Sequence, residues 1–395
     1  MSPPFRGVAL LVAAGFVAGC SGGPILANAP AQRPIPTASV APSPSHTADP
    51  VPIVLPRDDA PHHRLTEWWY YTGHLRDEDG GRWGFELVVF RAERGGLPVS
   101  WASHLALTDE TGGTFSYAER SEIGPQVDRS PAQGFEFAIA GAARPDVAAA
   151  GSPTAVSGAW TMAGGGGRDR LHASVSAGET AGTGKGAPFQ LDLALDSTLP
   201  AALHDRDGWI DFGPAGGSYY YSRPNEHATG VLAIGGRSLR VEGSAWFDHQ
   251  WGDFIAVGGG GWDWFAVNLS DGSAVTVSLV RDREGGYPLV YGTYVDADGE
   301  AHHLERDEFE VEVTKRWRSA ATATDYPAGW RITIPGRGIV VDLTPTVAAQ
   351  ELDTRRTTGV VYWEGSQRVS ATVRGVAQGG EAYVELTGYG SAPGG

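Results

Sequence analysis

Cysteine and basic residues are scarce in this 395-residue chain, and each scarcity excludes a class of protein. The single cysteine, Cys20, rules out an intramolecular disulfide. The chain carries 46 acidic residues against 30 basic ones, for a formal net charge of −16, and no basic stretch is long enough to follow a phosphate backbone. We therefore expect no nucleic-acid partner, because nucleic acids are bound by clusters of Lys and Arg.

The usual sequence signatures of metal and cofactor sites are also missing. The histidine pairs His62-His63 and His302-His303 are immediate neighbours, and no HxH or HExxH spacing appears. The glycine run at residues 258–261 lacks the helix and the lysine that a phosphate-binding loop needs. The sequence thus predicts neither a metal site nor a cofactor. A Gly-x-Ser-x-Gly elbow is absent as well, which disfavours a serine hydrolase.

The first 60 residues look like a targeting segment followed by a spacer. Arg6 precedes an apolar run that ends in Val17-Ala18-Gly19-Cys20, a pattern typical of a secretory signal with a bacterial lipobox. We expect cleavage after residue 19 and acylation of Cys20, which would tether the protein to a membrane of the cell envelope, outside the cytoplasm. An ordinary signal peptide with an incidental cysteine is the alternative. Residues 20–60 are rich in Pro, Ala and Ser and predict a disordered linker.

The rest of the chain predicts an all-β protein. It consists of short apolar runs separated by Gly and Asp turns, as in sandwiches and barrels, and helix-forming runs are few. One hairpin is expected around Asp79-Gly80-Gly81 and another around residues 270–273. Both halves open with a Trp-rich segment followed by a hairpin, which suggests a duplicated β-barrel. We predict domains at residues 61–250 and 251–391.

Three short segments, at residues 66–71, 246–251 and 261–264, combine ionisable side chains with large aromatic rings. Ionising a carboxylate against such rings is costly, so the group must find a partner, shift its pKa or take part in chemistry. The concentration of rings predicts a binding pocket. Its candidate ligand-binding residues are Trp69, Tyr220, Trp246, Trp251, Trp262 and Trp264.

The same segments carry a family likeness. The motifs are Glu67-Trp68-Trp69-Tyr70-Tyr71-Thr72-Gly73, Phe90-Arg91, Ser218-Tyr219-Tyr220-Tyr221-Ser222, Trp246-Phe247-Asp248-His249-Gln250-Trp251-Gly252, Gly261-Trp262-Asp263-Trp264 and Tyr383-Val384-Glu385-Leu386-Thr387-Gly388-Tyr389. In this order they resemble the carotenoid 1,2-hydratase (hydroxyneurosporene synthase) and AttH-type family, which includes proteins called predicted secreted hydrolases. The resemblance implies two lipocalin-like antiparallel β-barrel domains, but a shared fold does not fix the chemistry.

Four ionisable residues are candidate catalytic groups: Asp248, His249, Asp263 and Glu67. Adjacent residues of a strand point to opposite sides, so Asp248 and His249 are not expected to form a direct dyad. Hydration of an alkene needs a general acid, rings that stabilise a cation, and a water molecule. Asp248 or Asp263, kept protonated by apolar surroundings, could be the acid, and His249 could hold the water. The acid–His motif of the hydratase implies a role for Asp248 and His249.

Structural interpretations of these residues remain open at this point. Asp248 could cap a turn or pair with an Arg, His249 could be a core residue, and Glu67 could form a buried ion pair with Arg91 or Arg281. Gln250 stands where many relatives in the resembled family carry Glu, which argues against a two-carboxylate mechanism at this spot.

Three functions fit the sequence. The first is a cofactor-free, acid-catalysed hydratase or isomerase that acts on an apolar, isoprenoid or polyene-like ligand. The second is a carrier or binding lipoprotein that shields a hydrophobic, lipid-like molecule. The third is a secreted hydrolase of unknown type. The lipobox argues against carotenoid hydration itself, because it places the barrel away from the expected pathway enzymes.

Overall fold

The chain folds into two curled antiparallel sheets, one from each half of the sequence. The computed structural model describes residues 49–141, 158–254 and 259–390. Helix in these ranges is confined to 3-10 turns of three residues each, at Arg57–Asp59, Pro125–Val127, Gly213–Ala215 and Pro335–Arg337. None of the described helices has the length and apolar character needed to cross a membrane. The all-β prediction is confirmed.

The first sheet contains 13 strands. They are β1 Thr66–Asp77, β2 Arg82–Ala92, β3 Ser100–Asp109, β4 Thr114–Ile123, β5 Phe135–Ile139, β6 Trp160–Gly165, β7 Arg168–Val175, β8 Ala181–Gly182, β9 Phe189–Asp196, β10 Ala202–Leu203, β11 Trp209–Asp211, β12 Gly217–Ile234 and β13 Arg237–Gly252. The strand order is β5-β6-β7-β9-β12-β13-β1-β2-β3-β4-β8, with β10 and β11 paired to β12. Strands that lie away from the second sheet, such as β9, bury every second side chain, because only one of their faces meets the barrel core.

The second sheet contains 11 strands. They are β14 Gly259–Leu269, β15 Ala274–Asp282, β16 Leu289–Val295, β17 Ala301–Leu304, β18 Glu310–Val313, β21 Trp330–Ile334, β22 Ile339–Pro345, β23 Glu351–Asp353, β24 Val361–Val373, β25 Val376–Gln378 and β26 Gly380–Leu386, while β19 Arg316–Arg318 and β20 Asp325–Pro327 form a separate ribbon. Both predicted hairpins are present, as β1–β2 and β14–β15. The last strand, β26, lies between β14 and β24.

Strand β1 is buried on both faces over most of its length, and β13 is buried on both faces in its second half, unlike strands such as β9. On β1, Trp69 and Tyr71 point into the core of the first barrel. Tyr70, between them, packs instead with Trp264 and Tyr383 of the second sheet. The two sheets therefore share an apolar interface, and the rings in this part of the sequence alternate between two different cores.

Hydrogen bonds also join the two sheets. The His74 ring lies 3.0 Å from the Ala382 carbonyl oxygen, the Thr108 hydroxyl donates to Gln350 at 2.7 Å, and the Ser244 hydroxyl donates to Glu381 at 2.8 Å. The donors come from the first half of the chain and the acceptors from the second. Buried hydrogen bonds of this kind depend on the positions of both partners, so they fix how the two sheets are placed against each other.

Residues 49–60, which the sequence assigned to the linker, pack against the first sheet. Ile53 and Leu55 contact the apolar core, and the fully buried Asp59 accepts a hydrogen bond from Arg223 at 2.7 Å. The acidic and apolar side chains at the end of this Pro-rich stretch thus find partners inside the barrel. The rest of the predicted linker, the signal peptide and Cys20 lie outside the described residues.

Candidate active site between the two sheets

A cavity of about 170 Å³ lies between the two sheets. About half of the residues in its wall are Trp, Tyr and Phe from both halves of the chain: Trp68, Tyr70, Phe90, Phe212, Tyr220, Phe254, Trp262, Trp264, Tyr291 and Tyr362. Two carboxyl groups also line it, Asp248 from β13 and Glu385 from β26. An apolar wall with a few converging polar groups is the usual form of a small-molecule site.

Asp248 is held in this wall by three neutral donors. Its carboxyl accepts hydrogen bonds from the Tyr220 hydroxyl at 2.5 Å, from the Trp246 indole at 2.7 Å and from the Ser222 hydroxyl. Burial raises the pKa of Asp248 to about 6, although these three hydrogen bonds oppose the rise by favouring the carboxylate. Asp248 is therefore a buried acid that can carry a proton in a mildly acidic medium.

Further groups fix the donors to Asp248. The Trp264 indole donates to the Tyr220 oxygen at 3.0 Å, which links the acid to the second sheet. The His204 ring lies 2.7 Å from the Ser222 hydroxyl and 2.8 Å from the Thr293 hydroxyl. Burial lowers the pKa of His204 to about 3, so its ring is neutral at ordinary pH. The network around Asp248 thus contributes hydrogen bonds without a positive charge.

Glu385 is the second carboxyl of the cavity, and the sequence reasoning did not select it. It accepts a hydrogen bond from the Trp262 indole at 2.9 Å, and burial raises its pKa to about 7. The motif at residues 383–389 contains Glu385, but only the pairing of β26 with β14 shows that it shares a wall with Trp264. Gln250 also lines the cavity, and its amide donates to the Ser218 hydroxyl at 2.7 Å.

More buried acids lie beside the cavity. Glu364 is the cross-strand partner of Glu385, and its side chain is buried. Glu86, on the facing sheet, accepts a hydrogen bond from Tyr362 at 2.9 Å. Burial raises the pKa of Glu86 to about 8 and that of Glu364 well above its usual range, and the proximity of Glu86, Glu364 and Glu385 adds to the rise. The interface is thus built to hold these carboxyls neutral.

The structure divides the sequence-predicted site residues between two places. Asp248, Tyr220, Trp262 and Trp264 line the interdomain cavity, and Trp246 donates to Asp248 directly behind it. The other predicted residues lie inside one of the two barrels: Glu67, His249, Trp69 and Trp251 in the first, and Asp263 in the second. Asp248 and His249 point to opposite sides of β13, as the strand alternation predicted.

Inside the first barrel, Glu67 and two histidines form a closed cluster. Glu67 Oε1 lies 2.7 Å from His62 Nδ1 and 3.0 Å from His249 Nε2, and Arg91 approaches Oε2 at 3.8 Å. Burial opposes ionisation of Glu67, but the charge of His62 and hydrogen bonds from His249 and His62 hold its pKa at about 2. These two nitrogens and the oxygen form a donor set that a metal ion could use, yet at these distances they satisfy one another as hydrogen bonds.

Asp263 faces the core of the second barrel, away from Trp262 and Trp264. It lies 3.3 Å from the Arg281 guanidinium and accepts a hydrogen bond from the Tyr389 hydroxyl at 2.9 Å. Burial raises the pKa of Asp263 to about 6, and the charge of Arg281 opposes the rise. This arrangement corresponds to a structural pair beside the C-terminal motif.

Comparison with known proteins identifies relatives of the whole folded region. The model of the family described as AttH-like matches residues 46–389, which is most of the chain. No curated protein sequence matches the chain significantly. The family match agrees with the resemblance seen in the aromatic motifs.

Two solved structures extend this result. A protein assigned to AttH from Nitrosomonas europaea has a TM-score of 0.72 and 26% identity, over 88% of this chain and 100% of its own. Kievitone hydratase from Nectria haematococca has a TM-score of 0.60 and 16% identity, over 85% of this chain and 93% of its own. The predicted two-barrel architecture is thus shared by known structures over nearly their full length.

Proposed function

The chain belongs to the AttH-like family, and we propose that it protonates an unsaturated apolar ligand bound between its two barrels, in a cofactor-free hydration or isomerisation. The observation that carries this proposal is Asp248, a carboxyl buried in an aromatic cavity and hydrogen-bonded only by neutral donors in the described structure. Desolvation raises the pKa of an acid in such surroundings, and this is how proteins bring a carboxyl towards the pH range in which it can act as a general acid.

The proposed reaction begins when Asp248 transfers its proton to one carbon of a double bond, which leaves a carbocation on the other carbon. The three donors to Asp248 stabilise the carboxylate that remains. The faces of Trp262 and Trp264 stabilise the cation through their π-electrons. Water then adds to the cation and gives an alcohol, or a neighbouring carbon loses a proton and gives an isomer.

The relatives support this chemistry only by analogy. Kievitone hydratase bears the name of a hydratase, but at 16% identity it shares the fold with this chain and no more. The proposal therefore rests on the cavity residues of this chain. The ligand class follows from the wall: ten aromatic rings suit an isoprenoid or another extended apolar molecule.

A carrier function is the second candidate. The same aromatic wall would hold a hydrophobic molecule without changing it, and Asp248 would then serve only to fix Tyr220 and Trp246. A hydrolase has less support. Ser222 lies next to His204, but its hydroxyl donates to Asp248, and it is fully buried and not part of the cavity wall.

We also propose that the protein is lipid-anchored through Cys20 outside the cytoplasm, where it would meet membrane-dissolved ligands. Cys20 lies outside the described residues, and the support for this proposal is the lipobox pattern Val17-Ala18-Gly19-Cys20. Arg64 bridges Asp49, where the described chain begins, and Asp253, next to Phe254 in the cavity wall. This bridge holds Asp49 close to the segment of the chain that contains Phe254.

The experiment uses the purified full-length protein with farnesol as an isoprenoid probe in D₂O. An acid-catalysed enzyme should incorporate deuterium at carbon and form a hydrated or isomerised product, both detected by mass spectrometry. Asp248→Asn should lower the rate at least about 100-fold, since a general acid contributes typically 10²–10⁴-fold. It should retain farnesol binding, measured by quenching of Trp fluorescence. Binding without turnover in the parent would favour the carrier.

A further inference from the structure

The cavity contains a second carboxyl in a position to take part in the same reaction. Glu385 lines the wall opposite the strand that carries Asp248, and it is the cross-strand partner of Trp264. Trp264 in turn donates to Tyr220, which donates to Asp248. Because directly paired side chains on one face of a sheet lie about 5 Å apart, this chain of contacts brings both carboxyls to the same small cavity.

The two carboxyls differ in how many donors hold them. Asp248 accepts three hydrogen bonds, whereas Glu385 accepts one, from the Trp262 indole. Each donor stabilises the carboxylate over the acid, so Asp248 releases a proton more readily and Glu385 takes one up more readily. The reactive form needs the proton on Asp248 and Glu385 ionised, and it is the less populated of the two singly protonated forms, because burial raises the pKa of Glu385 to about 7 and that of Asp248 to about 6.

Gln250 cannot fill the role of the base. It lines the cavity, but its side chain is an amide, whose nitrogen is already hydrogen-bonded to Ser218. Position 250 of β13 thus offers no carboxylate to the cavity, whereas β26 in the other sheet offers Glu385. The sequence argument against a two-carboxylate mechanism applied to the neighbourhood of Gln250 alone.

We propose that Glu385 is the second catalytic carboxyl, the base that accepts a proton from the water that captures the cation. This inference rests on the proposed function. The Asp248 O–H bond breaks and a C–H bond forms; then a C–O bond forms while one O–H bond of water breaks and its proton passes to Glu385. Return of that proton to Asp248 restores the site, and the net change is addition of one water molecule.

The test separates protonation from water capture, again with farnesol in D₂O. Glu385→Gln should reduce the hydrated product at least about tenfold, the lower side of what a general base contributes. Recovered farnesol should still gain deuterium at more than half the parental rate, because Asp248 continues to protonate carbon reversibly. Asp248→Asn should lose both signals. Glu381→Gln is the matched control, since Glu381 is on the same strand but outside this cavity wall.

The outcomes distinguish this inference from the proposed function. A parent that neither hydrates farnesol nor exchanges its protons overturns both. A parent that does so, with Glu385→Gln hydrating within twofold of it, overturns the role of Glu385 alone. Loss of exchange together with hydration in a folded Glu385→Gln protein also overturns that role, because Glu385 would then be needed for protonation.

A measurement on the parent protein keeps the inference testable if Glu385→Gln does not fold. The ratio of hydrated product to deuterium exchange should fall as the pH is lowered through the ionisation of Glu385, whose pKa burial raises to about 7. Protonated Glu385 cannot accept the proton of water, whereas Asp248 remains able to protonate carbon. A ratio that stays constant between pH 8 and pH 5.5 would overturn the role of Glu385.

Discussion

The buried interface carboxyls should make the protein less stable as the pH rises above neutrality, and Glu86 offers the sharpest test. Glu86 is fully buried, and burial raises its pKa to about 8 from an ordinary value near 4.5. Between these values the folded protein keeps a proton that the unfolded chain has lost. The stabilisation that neutral Glu86 contributes is therefore fully present below its unfolded pKa, and it is lost as the pH rises towards its folded pKa.

The magnitude follows from the width of that window. Between its unfolded and folded pKa values, each such group lowers the free energy of unfolding by about 1.4 kcal/mol for every unit by which the pH rises. Below about pH 6.5, His104 and His204 have the opposite effect and make the protein more stable as the pH rises. Burial lowers their pKa to about 3, so in this range the unfolded chain binds protons at these residues and the folded protein does not. From about pH 6.5 to pH 8 the effect of Glu86 is unopposed by these histidines, and it amounts to roughly 2 kcal/mol.

The assay is urea unfolding followed by Trp fluorescence at four pH values from 6.5 to 8, for the parent and Glu86→Gln. The amide keeps the hydrogen bond from Tyr362 but cannot ionise. Between pH 6.5 and pH 8, the free energy of unfolding of the parent should therefore fall by about 2 kcal/mol more than that of the variant. Any pH dependence from His62 is common to both proteins and cancels. Glu136→Gln, at an exposed position of β5, is the matched control. Equal slopes in parent and Glu86→Gln would refute the reasoning.

Four further outcomes are expected. Cys20→Ser should move the protein from the membrane fraction to the soluble fraction, and retention in the membrane would contradict the lipobox. Far-UV circular dichroism of the full chain should show well below a quarter helix, against about 30–35% in ordinary domains. Glu67→Gln should lose roughly 3–5 kcal/mol of unfolding free energy at pH 7, because it removes the negative charge that is paired with His62 inside the barrel. Dialysis against EDTA should leave the melting temperature unchanged, since hydrogen bonds already satisfy that cluster.

Local patterns in the sequence were sufficient to predict the all-β class and several of its hairpins. Hairpins around Asp79-Gly80-Gly81 and residues 270–273 follow from turn chemistry between alternating runs, and both are present. Strand alternation also predicted correctly that Asp248 and His249 face opposite ways. These features depend on neighbouring residues only, which is why a single sequence contains them.

The composition of the cavity depends on long-range pairing, which the sequence does not show. Glu385 reaches the site because β26 returns to lie beside β14, and no local motif specifies that register. The rings around residues 66–71 read as one cluster in the sequence, whereas β1 sends Trp69 into the first barrel and Tyr70 towards the second sheet. Asp59 was assigned to a linker because its partner Arg223 is distant in sequence.

Strands β1 and β13 carry two acids, Glu67 and Asp248, that are similarly buried but have pKa values shifted in opposite directions. Glu67 meets the two imidazoles of His62 and His249, and positive charge there holds its pKa at about 2. Asp248 meets hydroxyl and indole donors, which carry no charge, so burial prevails and its pKa rises to about 6. Because both side chains are buried, the type of partner decides which acid can deliver a proton. The aromatic–acid motifs on β1 and β13 thus contain one structural carboxylate and one candidate general acid, which lie on opposite faces of the sheet.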